Sequence, residues 1–185
     1  VSALGTVKAR DFVDVGAQVS GQLERLQVAE GDAVARGDLL AEIDTTVLRA
    51  RVEADVARVR SLDAQIAERA AQLEQARLQL ARERALAPLG ATSAQALEAA
   101  QAQHAAVTAQ RESLRAQRAE AQSTLDADRA NLGFARITAP MAGTVTTLTA
   151  RQGQTLNAAQ VTPVILQIAD RSTMTVWTQV SEADV

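Results

Sequence analysis

The sequence predicts an α+β chain in which a small β-sandwich is split by an inserted antiparallel coiled-coil α-hairpin. Three observations predict it. Composition divides the chain into a β zone, a helical zone and a second β zone. The helical zone carries an unbroken seven-residue apolar repeat, and the two β zones repeat one another at a constant offset.

The first zone, 1–44, is rich in Val and Gly, with alternating runs such as Val13-Asp14-Val15-Gly16 and Gln22-Leu23-Glu24-Arg25-Leu26-Gln27-Val28. Alternation of this kind, broken at glycines, reads as short strands joined by turns. From 45 to 131 there is one glycine, Gly90, and one proline, Pro88; the rest is dominated by Ala, Leu, Gln, Arg and Glu. These are strong helix formers. From 132 to 185 the Val, Thr and Gly pattern returns.

Within the helical zone Val52, Val59, Ile66, Leu73 and Leu80 fall seven residues apart, with Leu48, Val56 and Leu62 on or beside the same face. A strict seven-residue period keeps one stripe turned toward a partner helix. The returning helix steps through Ala100, Val107, Leu114 and Ala121, then shifts to Leu125 and Leu132. Its small residues allow close approach. Asp44 is placed to cap the first helix and Ser93 the second. An arm of roughly 40 residues would reach about 60 Å, too far to fold back on a small β domain.

The β zones repeat at an offset of 122: Gly21, Leu23, Leu26, Gly31 and Val34 correspond to Gly143, Val145, Leu148, Gly153 and Leu156. Neither half is large enough to bury a core alone. Together they predict a pseudo-symmetric sandwich with the hairpin inserted at its middle.

Composition narrows the function. Hydrophobic residues are 47% of the 185 but aromatics only 2%, which suits thin helix pairs better than a thick globule. A net charge of −3 with mixed signs leaves no electrostatic footprint for nucleic acid. There is no cysteine, hence no disulfide framework or thiolate chemistry. No run approaches 18 apolar residues, the length of a membrane-spanning helix. The chain opens at Val1 on a strand-like pattern without a basic leader, and both ends are expected to continue in the natural protein.

The two halves resemble the biotinyl/lipoyl carrier domain. In carriers the junction between halves presents the lysine that takes the cofactor. Here the junction, between Ile43-Asp44 and Ala135-Arg136-Ile137-Thr138-Ala139-Pro140, holds the hairpin instead, and the chain's single lysine is Lys8. No lipoate, biotin or other cofactor is expected.

A lipoyl-like sandwich split by a coiled-coil hairpin resembles the periplasmic adaptor (membrane-fusion) family of tripartite efflux pumps. The resemblance is greatest to its MacA-like branch. It rests on Val13-Asp14-Val15-Gly16-Ala17-Gln18-Val19-Ser20-Gly21-Gln22-Leu23, Ile137-Thr138-Ala139-Pro140-Met141-Ala142-Gly143, Gln152-Gly153-Gln154-Thr155 and Val180-Ser181-Glu182-Ala183-Asp184-Val185.

The resemblance implies four segments. Residues 1–44 give the first sandwich half with the leading strand of a barrel region, and 45–131 the hairpin with its tip near 87–92. Residues 132–170 give the second half, and 171–185 the start of a β-barrel domain. It implies a non-enzymatic adaptor in the periplasm, anchored to the inner membrane through parts outside this chain. The implied partners are an inner-membrane ABC transporter of the MacB-like kind, a TolC-like outer-membrane channel, and further copies of itself in a hexamer. Adaptors of proton-driven (RND) pumps and of type I secretion are the alternatives.

Residue roles follow the same resemblance. Family members carry Arg, Leu and Ser at the hairpin tip in the spacing of Arg82, Leu86 and Ser93, and use them to dock on the channel. By spacing alone Arg82 is a solvated helix residue, Leu86 closes the seam and Ser93 is an N-cap. In the loop Asn157-Ala158-Ala159-Gln160-Val161-Thr162-Pro163 the resemblance makes Gln160 a channel-lining gate, six amides bonding around an axis. By itself it reads as an exposed polar residue. His104, the single histidine, is expected on the flank or seam of the returning helix. Acidic helix residues such as Glu53, Asp55, Glu68 and Glu74 are expected on a charge-paired solvated surface. Trp177 is expected in the barrel core.

Overall fold

The computed structural model describes residues 4–159 and 161–179. The chain divides into two compact units, Val1–Arg49 with Ala130–Val185, and Ala50–Arg129.

In the first unit, strands β1 (Leu4–Ala9), β2 (Phe12–Gly16), β3 (Gly21–Leu26), β4 (Ala33–Val34) and β5 (Leu39–Ile43) precede the helices. Strands β6 (Arg136–Thr138), β7 (Gly143–Leu148), β8 (Thr155–Leu156), β9 (Val164–Ala169) and β10 (Met174–Gln179) follow them. Eight of these form two four-stranded antiparallel sheets, ordered β2-β9-β7-β4 and β6-β5-β3-β8. The 122-residue repeat explains this pairing. It maps β3 onto β7 and β4 onto β8, so each sheet is the counterpart of the other and each draws strands from both halves.

The register is reciprocal. Gly21 lies opposite Leu156, as Gly143 lies opposite Val34. The N–H of Gly31 donates to the carbonyl of Val145, as that of Gly153 donates to the carbonyl of Leu23, both at 2.8 Å. Gly31 and Gly153 hold φ of 95° and 84°, a left-handed turn that a side chain would strain. The offset has grown to 125 by β9. There Thr149 N–H donates to the Ile165 carbonyl as Gln27 N–H does to that of Leu40, again both at 2.8 Å. The segment containing Gln160 is therefore three residues longer than its counterpart in the first half.

The interior is aliphatic: Leu23, Leu40, Ile43, Val145, Ile165, Leu166 and Ile168 are its largest fully buried side chains. Leu48, assigned from the repeat to the helical seam, instead packs against this core. Strands β1 and β10 form a separate antiparallel ladder, Thr6 opposite Trp177. Its Val7, Met174 and Val176 are exposed, and Trp177 is 68% exposed. The expected burial of Trp177 in a barrel core is thus corrected, because no second layer covers this ladder among the described residues.

The second unit is made from helices α1 (Thr46–Leu86) and α2 (Ala94–Phe134), 41 residues each, apart from the first turn of α1 and the last of α2. Their seam buries Val59, Leu62, Ala76 and Leu80 against Ala100, Val107, Ala121 and Leu125. Val52, Val56 and Leu114 pack half-buried against it. Polar residues interrupt the stripe: Asp55, Arg69 and Arg111 are half-buried, and Asp55 Oδ2 and Arg111 Nε are enclosed without a hydrogen-bond partner. Arg118 ties the helices together through Asp63 at 3.2 Å. The outer surfaces carry i,i+3 pairs such as Glu74–Arg77 and Glu112–Arg115, the solvated role expected of Glu74; Asp55, expected on the same charge-paired surface, is instead half-buried with an enclosed, unpartnered oxygen.

Candidate functional site at the hairpin tip

The tip is built from turn chemistry. Past Leu86 the chain makes one 3-10 turn, Ala87–Leu89, with Pro88 in its first positions. Gly90, at φ 67°, ends the turn and donates to the Ala87 carbonyl at 3.1 Å. Ala91 N–H donates to Leu86 O at 3.2 Å. The second helix then starts on Ser93, whose Oγ accepts the Ala96 N–H at 3.1 Å. That is the bond an N-cap serine makes.

Arg82 and Leu86 stand four residues apart, so they share one face of the last turns of α1. Both are exposed, Leu86 by 38%. No carboxylate of the described residues pairs with Arg82. It lines an amide-rich groove of about 510 Å3 with Gln72, Gln75, Gln79 and Gln103. Its guanidinium donors are available to an outside acceptor.

Two features of the tip were not anticipated. Leu89, at the apex, is 76% exposed; its only sequence signal is an apolar residue held between Pro88 and Gly90. Glu83 accepts hydrogen bonds from Thr92 Oγ1 and from Gln79 Nε2. Thr92 and Glu83 read separately as an ordinary turn residue and an ordinary helix glutamate, so spacing gave no sign of the link.

Gln160 lies outside the described residues. Its flanks are anchored: Ala158 N–H donates to Ser20 Oγ at 2.9 Å, Ala159 N–H to Asn157 Oδ1 at 3.0 Å, and Ala17 N–H to the Pro163 carbonyl at 3.1 Å. At the junction of the sandwich halves Asp44 Oδ1 accepts the amide and the hydroxyl of Thr46, at 2.8 and 2.7 Å. Chiefly the hydroxyl bond, then the amide bond, holds the Asp44 carboxyl below the ordinary range. His104 is half-buried on α2. Among the described residues no group of three His, Cys, Asp or Glu could hold a metal, and no helix is long and apolar enough to cross a membrane.

Known proteins share both the sequence and this arrangement. Pyoverdine export membrane fusion protein PvdR of Pseudomonas aeruginosa is 52% identical over the whole chain, which covers 47% of that protein. Macrolide export protein MacA of Escherichia coli is 45% identical over the whole chain, which covers 50% of it. The chain thus spans about half the length of these curated relatives. The crystal structure of MacA from Actinobacillus actinomycetemcomitans superposes with a TM-score of 0.92 at 35% identity, over all of this chain and 57% of that one. Residues 11–168, from the start of the sandwich through both helices to β9, match the family described as RND MFP, barrel-sandwich hybrid domain, and the chain belongs to that family of membrane fusion proteins.

Proposed function

We propose that this chain is the sandwich-and-hairpin region of a periplasmic adaptor in a Gram-negative tripartite efflux pump. It bridges an inner-membrane, MacB-like ABC transporter and a TolC-like outer-membrane channel. The observation that carries this reading is the superposition of sandwich and hairpin, each at its full extent, on MacA from Actinobacillus actinomycetemcomitans. The relatives' names, for pyoverdine export and macrolide export, support a small-molecule cargo.

In this reading the hairpin tip docks on the channel through Arg82, Leu86 and Ser93. The unpaired Arg82 guanidinium donates to carbonyls or carboxylates of the channel, and Leu86 fills a gap. Ser93 caps α2 while facing the contact. The sandwiches associate as a ring of six, the Gln160 amides closing its axis against backflow. The β1–β10 ladder is the opening of the barrel domain, with residues 1–44, 45–131, 132–170 and 171–185 as the four segments. The subunit performs no reaction of its own; anchorage to the inner membrane belongs to other parts of the full-length protein.

The test places Arg82→Asp and Gln160→Ala separately in the full-length protein, in cells carrying the cognate transporter and channel. Arg82→Asp should abolish crosslinking to the channel and export together. Gln160→Ala should leave assembly intact and make the conduit leak. Wild-type docking and export by both variants would reduce these residues to surface and capping roles.

The matched family's description supports a second reading, an adaptor of a proton-driven pump, because it carries the term RND. Crosslinking the full-length protein in its own cells separates the two: an ABC transporter recovered with it supports the first, a proton-driven pump the second.

A further inference from the structure

Among the described residues no large apolar side chain is more open to solvent than Leu89, at 76%. It belongs to neither hydrophobic cluster, so neither the sandwich nor the helical seam requires an apolar residue at this position. The turn does not require one either. Pro88 and Gly90 supply its special backbone conformations, and a polar residue between them would serve the turn as well.

The backbone that carries Leu89 is fastened on both sides. Gly90 and Ala91 close the turn on the carbonyls of Ala87 and Leu86. Behind them Thr92 and Gln79 converge on Glu83, and Ser93 caps α2. A leucine held this way is preorganised for contact and loses little freedom when a partner covers it. The charge around it is one-sided. Arg82 and Arg84 are exposed, and neither pairs with a carboxylate of the described residues. Glu83, between them, is engaged by Thr92 and Gln79, and no acidic residue follows until Glu98.

Position along the hairpin decides what must cover Leu89. Arg82 lies four residues before the end of α1, about 6 Å back along the axis at 1.5 Å per residue, whereas Leu89 lies beyond that end. A partner that meets the hairpin end-on and reaches Arg82 therefore encloses Leu89 on the way. Polar groups closed over a leucine would lose their hydrogen bonds to water, so the enclosing floor must be apolar. Its rim, facing two guanidiniums, must carry carboxylates or carbonyls.

We infer that Leu89 is the apolar anchor of the tip, entering an apolar socket with an acceptor-lined rim at the helical end of the channel. Leu86, half as exposed at 38%, stands at the shoulder of that socket. The inference rests on the proposed docking and adds the residue that carries its apolar contact.

The test uses the full-length protein in cells with and without the cognate channel, the unsubstituted protein serving as the labelling blank. Leu89→Cys should react with a maleimide when the channel is absent and be protected when it is present. Val47→Cys, at a position 70% exposed in the first turn of α1, should label equally in both. Leu89→Asn, close in size but polar, should lower channel crosslinking and export about tenfold, and Leu89→Met should retain both. Helix circular dichroism should give Leu89→Asn the melting midpoint of the parent; a lowered midpoint would give Leu89 a folding role and overturn the inference. Equal labelling of Leu89→Cys with and without the channel, or parental docking by Leu89→Asn, would also overturn it. If Arg82→Asp still abolishes crosslinking in that case, docking stands and runs beside the apex. If neither position matters, the docking reading fails as well.

Discussion

Thr92 donates its hydroxyl hydrogen to a carboxylate oxygen of Glu83 across the eight residues, 84–91, that turn the hairpin. The bond fastens the end of one helix to the approach of the next, and Gln79 fixes Glu83 from the other side at 2.7 Å. Leu86, Leu89 and Ser93 project from the loop so held.

Thr92→Val keeps the shape of the side chain and removes the donor. A hydrogen bond of this kind contributes about 1 kcal/mol. Thermal unfolding followed by helix circular dichroism should show a loss of that order, and amide exchange at 87–93 should quicken while the sandwich stays protected. Ser93→Ala should cost about 1 kcal/mol through loss of the cap. Unchanged melting and exchange for Thr92→Val would leave the bond without a structural role.

The architecture was legible because two periods run through the sequence. The seven-residue stripe announced the seam, and the 122-residue offset announced which strands are counterparts. What remained hidden depends on contacts that neither period records. The Glu83–Thr92 link joins residues that are unremarkable separately. Leu48 has the right spacing for the seam, yet it packs on the sandwich core, since the first turn of α1 belongs to that unit. Trp177 alternates correctly for a buried position, but alternation names a face and cannot supply the layer that covers it. Of the proposed site residues, Ser93 was legible as a cap from local chemistry alone. The docking role of Arg82 and Leu86 and the gate role of Gln160 rest on resemblance, because exposure and spacing are the same for an idle surface residue.

The repeat also predicts unequal costs at two equivalent glycines. A Cβ on Gly143 would lie 2.7 Å from the backbone oxygen of Ala169 and 2.8 Å from Ile168 Cγ2; one on Gly21 would lie 2.5 Å from Ile43 Cγ2. Both crowd the close approach that lets the halves interlock, but backbone yields less readily than a side chain. Gly143→Ala should destabilise the sandwich by about 2–3 kcal/mol and Gly21→Ala by about 1–2 kcal/mol. Denaturant midpoints read from tryptophan-independent circular dichroism would show the order; the reverse order would mean that Ile43 cannot rotate away.

Acid should loosen the junction of sandwich and hairpin. The Asp44 carboxyl is held below its ordinary range by the Thr46 hydroxyl and then the Thr46 amide. Asp170 is held low by the Ser172 backbone amide and then by the Ser172 side chain. A group whose pKa is lower folded than unfolded stabilises the fold above its unfolded value and loses that contribution as pH falls through the folded one. Stability should therefore be flat near neutrality and fall below about pH 4. The Asp44→Asn, Asp170→Asn double variant should show a shallower fall over that window. Equal slopes for variant and parent in acid denaturation curves would assign the acid sensitivity to other carboxylates.

Arg111 tests what the polar breaks in the seam are for. It sits four residues beyond Val107 and three before Leu114 on the inward face of α2, half-buried, with Nε enclosed and unpartnered. A polar group in that state costs stability, while a leucine at a seam position adds apolar burial. Arg111→Leu should therefore raise hairpin stability by about 1 kcal/mol or more, seen as a higher midpoint in helix circular dichroism. Polar seam residues also fix register, since sliding one helix along the other would move them against apolar neighbours. The stabilised variant should accordingly tolerate alternative registers, and cysteines introduced as Asp63→Cys and Arg118→Cys, where the native side chains meet across the helices as an ion pair, should be joined by a bifunctional thiol crosslinker less completely than in the parent. A variant that gains stability and keeps full crosslinking would show that the apolar stripe sets the register unaided. One that loses stability would show that the Arg111 side chain finds compensation in solution, and that its enclosure is no burden on the fold.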